Sequence, residues 1–231
     1  RERIPQAGRV LIVANHPSGA LDALALLHLV TGIRRDVRIL ANDFLGAVEP
    51  LRDLLLPLRI LGGKPDADSL AAVDAALARE ECVIVFPAGE VSRLKPNGVR
   101  DGKWHGGFLR FARAAKAPIL PIYLDARNSL LFYGASMLYK PLSTMLLVQE
   151  MFRQKHKSIS MRIGELVPYD SFAQLPMETP AIVKLFKKHL YRLAKDKQPL
   201  LRTQTAIAHP EDRRELRKAI EACQLLGQTS D

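Results

Sequence analysis

The sequence predicts an α/β fold in which a mostly parallel or mixed central sheet is flanked by helices. Five short aliphatic runs have the length and composition of buried strands, at residues 10–14, 37–41, 82–86, 119–124 and 159–163. Helical patterns lie between these runs, and strands that alternate with helices are typical of a sheet covered on both faces. The chain contains neither an internal repeat nor a Gly/Ser-rich linker that would divide it.

The predicted helices follow in chain order, at residues 21–31, 44–56, 69–80, 107–116 and 142–154. Ser69 is the predicted N-cap of the third helix, with Asp66 and Asp68 near its positive end. A further helix over 182–195 is amphipathic, with apolar side chains on one half and Lys or Arg on the other. It packs its apolar half on the sheet or contacts a membrane surface, two interpretations that can hold together, because we expect its cations to face outward in both cases.

The last part of the chain has a different character. We expect residues 1–197 to form the main domain and residues 198–231 a loop-and-helix appendage, which is too short to hold its own core. A predicted helix near 210–226 carries an apolar stripe that includes Ile220 and Cys223. Such a stripe should pack on the main domain or on a partner.

The charge of the chain is positive and unevenly distributed. The 34 Lys and Arg residues exceed the 24 Asp and Glu residues, for a formal net charge of +10. Residues 151–202 supply most of this excess, which indicates an anionic partner such as nucleic acid, an anionic lipid surface or an acidic protein. Only 6% of residues are aromatic, and none interleave with basic residues as in a base-stacking platform, so nucleic acid is disfavoured.

Cysteine usage and hydropathy indicate where the protein works. Cys82 and Cys223 are too far apart for a ligand pair, which disfavours a zinc site or a disulfide framework and fits a reducing compartment. No signal peptide is apparent in the chain, and its longest apolar segment, 130–152, is interrupted by Lys140 and Pro141. The sequence therefore predicts a cytoplasmic protein that binds peripherally to the inner face of the cell membrane.

A polar stretch follows the first predicted strand directly. Asn15, His16 and Pro17 come after the strand, and a turn with Ser18 and Gly19 leads into a helix near Asp22. Active sites of α/β folds lie at the carboxyl ends of strands. Asp22 could orient the His16 imidazole as a general base, or the stretch could be a turn in which Asn15 and Asp22 only cap.

A second polar stretch follows the strand at 82–86. Gly89 allows close approach of the backbone to a ligand, and Glu90, Ser92 and Arg93 come directly after it. Arg93, and with it Lys95, could face a phosphate or carboxylate. The alternative is an ordinary strand-to-loop turn with solvated polar side chains.

Together these stretches resemble the glycerolipid acyltransferase superfamily, the lysophosphatidic acid acyltransferase-like enzymes. Its usual signatures are Asn-His-x4-Asp and Phe-Pro-Glu-Gly. Here five residues separate His16 from Asp22, and Ala88 stands where the glutamate is usual. The variants Asn-His-Pro-Ser-Gly-Ala-Leu-Asp and Phe-Pro-Ala-Gly-Glu-Val-Ser are most similar to the bacterial ornithine-lipid O-acyltransferase and hemolysin-like branch. The likeness continues through Trp104-His-Gly-Gly-Phe and covers about residues 9–195.

The resemblance implies a glycerolipid acyltransferase-like fold and direct transfer of a fatty acyl group to a lipid hydroxyl. The donor would be acyl carrier protein or acyl-CoA, the acceptor lyso-ornithine lipid or a lysophospholipid, and an N-acyltransferase is a potential partner. His16 would take the hydroxyl proton and Asp22 would orient it, without cofactor, metal or covalent intermediate. The expected substrate-binding residues are Asn15, Ser18, Gly19, Lys64, Gly89, Glu90, Ser92 and Arg93.

Two alternatives use the same residues. In the first, His16 and Asp22 activate water, and the protein is a lipid or thioester hydrolase that releases free fatty acid without an acceptor. In the second, the protein is a membrane-binding module whose histidine turn has no catalytic role.

Overall fold

A computed structural model describes residues 2–41, 49–61, 64–96, 98–129, 132 and 159–195. The predicted helix at 142–154 and the appendage at 198–231, with its helix near 210–226, lie outside these residues. Almost all of the apolar segment 130–152 lies outside them as well.

Ten strands are present in the described residues. They are β1 (Val10–Ala14), β2 (Val37–Ala41), β3 (Leu55–Pro57), β4 (Ile60–Leu61), β5 (Lys64–Pro65), β6 (Cys82–Val85), β7 (Arg93–Lys95), β8 (Gly98–Arg100), β9 (Ile119–Asp125) and β10 (Ser160–Ile163). Six form one sheet in the order β10-β9-β1-β6-β2-β3, in which only β10 is antiparallel to its neighbour. The pairs β4–β5 and β7–β8 are separate antiparallel hairpins. All five predicted strands are found, within one residue of their predicted ends.

Helices cover both faces of the sheet, as predicted. They are α1 (Ala20–Thr31), α2 (Ala67–Ala78), α3 (Gly107–Ala115), α4 (Tyr169–Ala173) and α5 (Thr179–Leu193), with a 3₁₀ helix at Glu49–Leu54. Alternate β1 side chains enter different clusters: Val10 and Ile12 pack with α1, whereas Leu11 and Val13 pack with α2, α3 and α5. Because successive side chains of a strand point to opposite faces, this places α1 on one face, where Leu51 and Leu54 of the 3₁₀ helix also pack, and α2, α3 and α5 on the other.

Two helix predictions are wrong in detail. Within the predicted helix 44–56, the described residues form the 3₁₀ helix and then β3, which pairs with β2 as Leu56 opposite Leu40. Pairing at the sheet edge satisfies the backbone of an apolar segment that ends at Pro57. The N-cap of α2 is Asp66, not Ser69, because the Asp66 side chain accepts the Ser69 amide at 2.8 Å.

Helix α5 packs its apolar half onto the core, as the first of the two interpretations predicts. The side chains of Ile182, Leu185 and Phe186 are buried, whereas Lys184 and Lys188 are exposed. None of the helices in the described part of the chain is long and apolar enough to cross a membrane.

Candidate active site

The two polar stretches meet at one edge of the sheet. Strands β1 and β6 are parallel neighbours, with Val13 opposite Val85, so the loops that follow them leave from the same edge. The amide of Ser92 donates to the carbonyl of His16 at 2.7 Å and joins the two loops directly.

The central feature of this edge is the pair formed by His16 and Asp22. Nδ1 of His16 lies 3.1 Å from Oδ2 of Asp22; the His16 side chain is 18% exposed and that of Asp22 is fully buried. The contact has ion-pair distance but not hydrogen-bond alignment, a geometry that catalytic pairs often show until substrate is bound. With its proton on Nδ1, toward the carboxylate, the imidazole presents Nε2 as a base.

The loop before α1 holds the Asp22 carboxylate in place. Its oxygens accept the Ser18 amide at 2.7 Å, the Ser18 hydroxyl at 2.5 Å and the Gly19 amide at 3.0 Å. Gly19 has φ of +87°, a value that favours glycine, and it accommodates the turn between His16 and the helix. The predicted substrate-binding residues Ser18 and Gly19 are therefore engaged with Asp22.

The ring and the main chain of His16 are also held. The imidazole stacks on the ring of Phe86, with centroids 4.2 Å apart and planes at 23°. The His16 amide donates to Oδ1 of Asp101 at 3.1 Å, and its carbonyl accepts from Ser92. Since the main-chain groups of His16 are hydrogen-bonded, the part of this residue that could meet a substrate is its side chain, which is 18% exposed.

Asp101, which sequence reasoning missed, connects most parts of the site. Its buried carboxylate accepts the His16 amide, the Ser92 hydroxyl at 2.5 Å and Nε1 of Trp104 at 2.7 Å. Its own amide donates to the Tyr191 hydroxyl at 2.8 Å. The only local signal was an aspartate three residues before Trp104, because its other partners are distant in sequence.

The side chain of Asn15 hydrogen-bonds to the neighbouring strand β9. Its side-chain amide donates to the Leu124 carbonyl at 2.9 Å and its side-chain oxygen accepts the Leu124 amide at 2.8 Å. These bonds prolong the β1–β9 pairing by one residue, so both polar atoms of the Asn15 side chain are used within the fold.

The other predicted binding residues differ in how close they lie to the His16–Asp22 pair and in how exposed they are. Gly89, with φ of +65°, and Glu90 are exposed beside the site, and the Glu90 carboxylate reaches toward Gly102. Arg93 is half-buried, and its guanidinium lies 5.7 Å from the ring centroid of Phe132. Ser92 is fully buried, so its hydroxyl serves Asp101. Lys64 is part of the β4–β5 hairpin, and its side chain lies outside the described part of the structure.

Cations surround the backbone carbonyls next to this site. Nζ of Lys95 and Nζ of Lys187 both donate to the Asp101 carbonyl, at 3.0 and 3.1 Å, and Lys187 also donates to the Gly102 carbonyl. Burial lowers the pKa of Lys187; the Asp101 carboxylate opposes this shift, and the charges of Lys95 and Arg100 add to it. The expectation that every cation of this helix faces outward is therefore wrong for Lys187. We call Lys95, Arg100 and Lys187 the Asp101 cation cluster.

An apolar groove lies between α1 and the edge strand β10. It has a volume of about 570 Å³ and is lined by Leu21, Leu24, Ala25, His28, Leu29, Ile159, Met161 and Ile163. Leu21, which lines the groove, directly precedes Asp22 in the chain. Within the described residues, His, Cys, Asp and Glu form no group that could hold a metal ion.

Comparison with known proteins gives a consistent result. The profile of a protein family described as "Acyltransferase" matches residues 1–195. A relative from Phocaeicola vulgatus described as a lyso-glycine lipid O-acyltransferase is 30% identical over 200 residues, which are 83% of this chain and 71% of the relative. A relative from Bacteroides thetaiotaomicron with the same description is 32% identical over 188 residues, which are 78% and 68% of the two chains.

A solved structure has a similar fold. It is the 1-acyl-sn-glycerophosphate (LPA) acyltransferase PlsC from Thermotoga maritima, with a TM-score of 0.52, 18% identity, and coverage of 85% of this chain and 69% of that one. At this identity the likeness concerns the fold alone, and it confirms the predicted glycerolipid acyltransferase-like fold.

Proposed function

Because the chain belongs to the Acyltransferase family, we propose that it moves a fatty acyl group from a thioester carrier to a lysolipid hydroxyl, with His16 as general base. The enzyme class follows from the family, and the relatives support a lysolipid as acceptor. The observation that carries the mechanism is the His16–Asp22 contact at the strand end, 3.1 Å long and anchored by a fully buried carboxylate.

In the proposed reaction one proton moves from the acceptor hydroxyl to His16 and then to the leaving group. Nε2 of His16 takes the proton of the lysolipid hydroxyl as its oxygen attacks the thioester carbonyl carbon. The carbon–sulfur bond then breaks, and the leaving thiolate receives the proton from the imidazolium. Asp22 stabilises that imidazolium and keeps the ring in one orientation.

Direct transfer is favoured by the state of the nearby nucleophiles. The hydroxyls of Ser18 and Ser92 donate to buried carboxylates. Cys82 is not near the site, because it begins β6 at the opposite edge of the sheet, beside Val10, and burial raises the pKa of its thiol to about 12. Ser18 and Ser92 are therefore poorly suited to carry an acyl intermediate, and Cys82 is too remote to do so.

The substrates are proposed at the level that the site allows. The donor is acyl carrier protein or acyl-CoA, and the acceptor is an amino-acid lysolipid, such as the glycine or ornithine type, or a lysophospholipid. An N-acyltransferase would supply an amino-acid lysolipid. The α1–β10 groove is suited to an acyl chain, because its lining is apolar except for His28 and includes Leu21, the residue before Asp22.

Membrane association is proposed to be peripheral, at the inner face of the cytoplasmic membrane. Lys184 and Lys188 are exposed on α5 and would approach an anionic lipid surface. Vesicle flotation should then increase with anionic lipid and decrease with salt, and binding that responds to neither variable would contradict the proposal.

The domain organisation is proposed as the sequence predicts it. Residues 1–197 would suffice for catalysis, with 198–231 as an appendage.

A single assay tests the reaction. Labelled acyl thioester is incubated with and without a lysolipid, using the wild type and His16→Ala. We expect acylated lipid only with the wild type and only with acceptor. Equal product from both proteins would refute the role of His16, and free fatty acid without acceptor would indicate a hydrolase. Thermal unfolding of His16→Ala verifies that it is folded.

A further inference from the structure

Tyr191 of α5 contacts Asp101, which lies 90 positions earlier in the chain. We propose that Tyr191 is a positioning residue for the acyl transfer, because its hydroxyl fixes the two residues that hold the main chain of His16. This inference rests on the proposed function, and it extends the proposed site to a helix that contains neither polar stretch.

Ser92 and Asp101 hold the main chain of His16 from both sides. Ser92 donates its amide to the His16 carbonyl at 2.7 Å, and Oδ1 of Asp101 accepts the His16 amide at 3.1 Å. These contacts engage the main chain of His16 rather than its imidazole. They therefore set the position of the Cα atom from which the imidazole extends.

The Tyr191 hydroxyl hydrogen-bonds to both of these residues. Asp101 donates its amide to the hydroxyl oxygen at 2.8 Å, and the Ser92 side chain bonds to the same hydroxyl. Since the Ser92 hydroxyl also donates to Oδ1 of Asp101 at 2.5 Å, the three residues form a closed ring of hydrogen bonds. Buried hydrogen bonds in such a network strengthen one another, so the loss of one member weakens the others.

The surroundings of Tyr191 keep its hydroxyl in place. The side chain is buried, and burial raises the pKa of the phenol, so it stays protonated at neutral pH. The ring packs against the Tyr123 ring, with centroids 5.8 Å apart, and its centroid lies 4.6 Å from the Arg100 guanidinium. The neighbouring residues Phe186 and Leu190 anchor the same helix in the core. A hydroxyl on such a side chain has little freedom to move, so it can fix the atoms that bond to it.

The Asp101 cation cluster supports Asp101 from its carbonyl side. Lys187 donates to that carbonyl at 3.1 Å, and it lies four residues before Tyr191 and so on the same face of α5. Lys95 donates to the same carbonyl at 3.0 Å. One face of α5 therefore binds both main-chain polar groups of Asp101. Tyr191 is the buried one of the two helix residues, so we assign the positioning role to it.

The kinetic test compares Tyr191→Phe with Tyr123→Phe. The first change removes the hydroxyl that bonds to Asp101 and Ser92, and the second removes a hydroxyl from the adjacent, half-buried ring and leaves those bonds in place. We expect kcat to fall at least about 10-fold in Tyr191→Phe, because a displacement of about 1 Å can cost about 10²-fold in rate. Tyr123→Phe should keep kcat within about 2-fold of the wild type. The KM values of both substrates should stay within about 3-fold in both variants.

Both variants are assayed at a temperature at which unfolding curves show them to be folded, and kcat is expressed per folded protein. A role in stability alone would leave this kcat unchanged in Tyr191→Phe, and that result would overturn the proposal. An equal fall in the two variants would overturn it as well.

The pH dependence of kcat separates positioning from a direct effect on the imidazole. Because Tyr191 acts through the main chain of His16, Tyr191→Phe should lower kcat by the same factor across the profile and leave its midpoint unchanged. A midpoint displaced by more than about half a pH unit would contradict the proposed route.

A double-mutant cycle tests whether Tyr191 acts through the ring of hydrogen bonds. Ser92→Ala removes the hydroxyl that bonds to Asp101 and leaves the amide that binds the His16 carbonyl. Because both changes disturb one ring, the combined loss of kcat should be at least about 3-fold smaller than the product of the single losses. Single losses that multiply in full would refute the ring.

Hydrogen–deuterium exchange measures the same link without the reaction. In Tyr191→Phe, peptides that contain the His16 and Asp101 amides should exchange faster than in the wild type, whereas those of α2 should not change. An equal rise in α2 would indicate general destabilisation and overturn the proposal. If exchange changes as expected but the wild type transfers no acyl group, the proposed function is refuted and the contact is not.

Discussion

Replacing Asp101 tests whether this buried carboxylate positions His16, the proposed general base. Its side chain accepts three buried donors, from His16, Ser92 and Trp104. Asp101→Ala would leave all three unsatisfied, at about 1–3 kcal/mol each, and the total approaches the stability of a whole domain. Asp101→Asn is therefore the informative change.

The asparagine keeps one oxygen for the His16 amide and the Ser92 hydroxyl. Its amino group then faces Nε1–H of Trp104, so two donors oppose each other. We expect a loss of about 3 kcal/mol in the free energy of unfolding, from one lost charge-assisted bond and one unsatisfied donor. We also expect kcat to fall at least about 10-fold, because a displacement of about 1 Å can cost about 10²-fold in rate.

The control is Trp104→Phe, which removes the same bond to Oδ2 but leaves the carboxylate in contact with His16. Both variants are assayed at a temperature at which unfolding curves show them to be folded. The positioning role predicts a fall in kcat for Asp101→Asn alone, with both KM values little changed. An equal kcat in the two variants would refute it.

Three further predictions concern Asp22, Gly19 and His189. Asp22→Asn should lower kcat at least about 10²-fold because the imidazolium loses its carboxylate. Asp74→Asn, a control on α2 at a half-buried carboxylate that pairs with Arg110, should not lower it, and a rate of Asp22→Asn near that of the wild type would refute the pair. Gly19→Ala should reduce stability by about 1–2 kcal/mol, since φ there is +87°, and an unchanged melting temperature would contradict this. Burial lowers the pKa of His189 to about 4. The free energy of unfolding should therefore fall by about 3 kcal/mol as the pH is lowered from about 6.5, the ordinary pKa of histidine, to 4. His189→Gln should make the free energy of unfolding less dependent on pH over that window.

Local patterns were sufficient for the strands and for the contact between His16 and Asp22. A buried strand is a run of aliphatic residues, so β1 and β2 were predicted with the boundaries that the structure has. His16 and Asp22 lie six positions apart, on either side of one turn, and their contact depends on that turn alone. Within the described residues, local prediction failed at 44–56, where pairing at the sheet edge outweighed an apolar pattern that also suits a helix. It also failed at the N-cap of α2, which is Asp66 rather than Ser69.

The contacts that complete the site depend on the tertiary structure. Asn15 was predicted as a binding residue, but strand pairing brings it to Leu124, 109 positions away, which uses its amide. Asp101 meets the His16 amide across 85 positions, and Lys187 reaches the Asp101 carbonyl across 86. Sequence spacing predicts contacts within one turn or strand, because the local backbone geometry fixes those distances. Partners separated by this many residues are chosen by how the sheet orders its strands and where each helix packs.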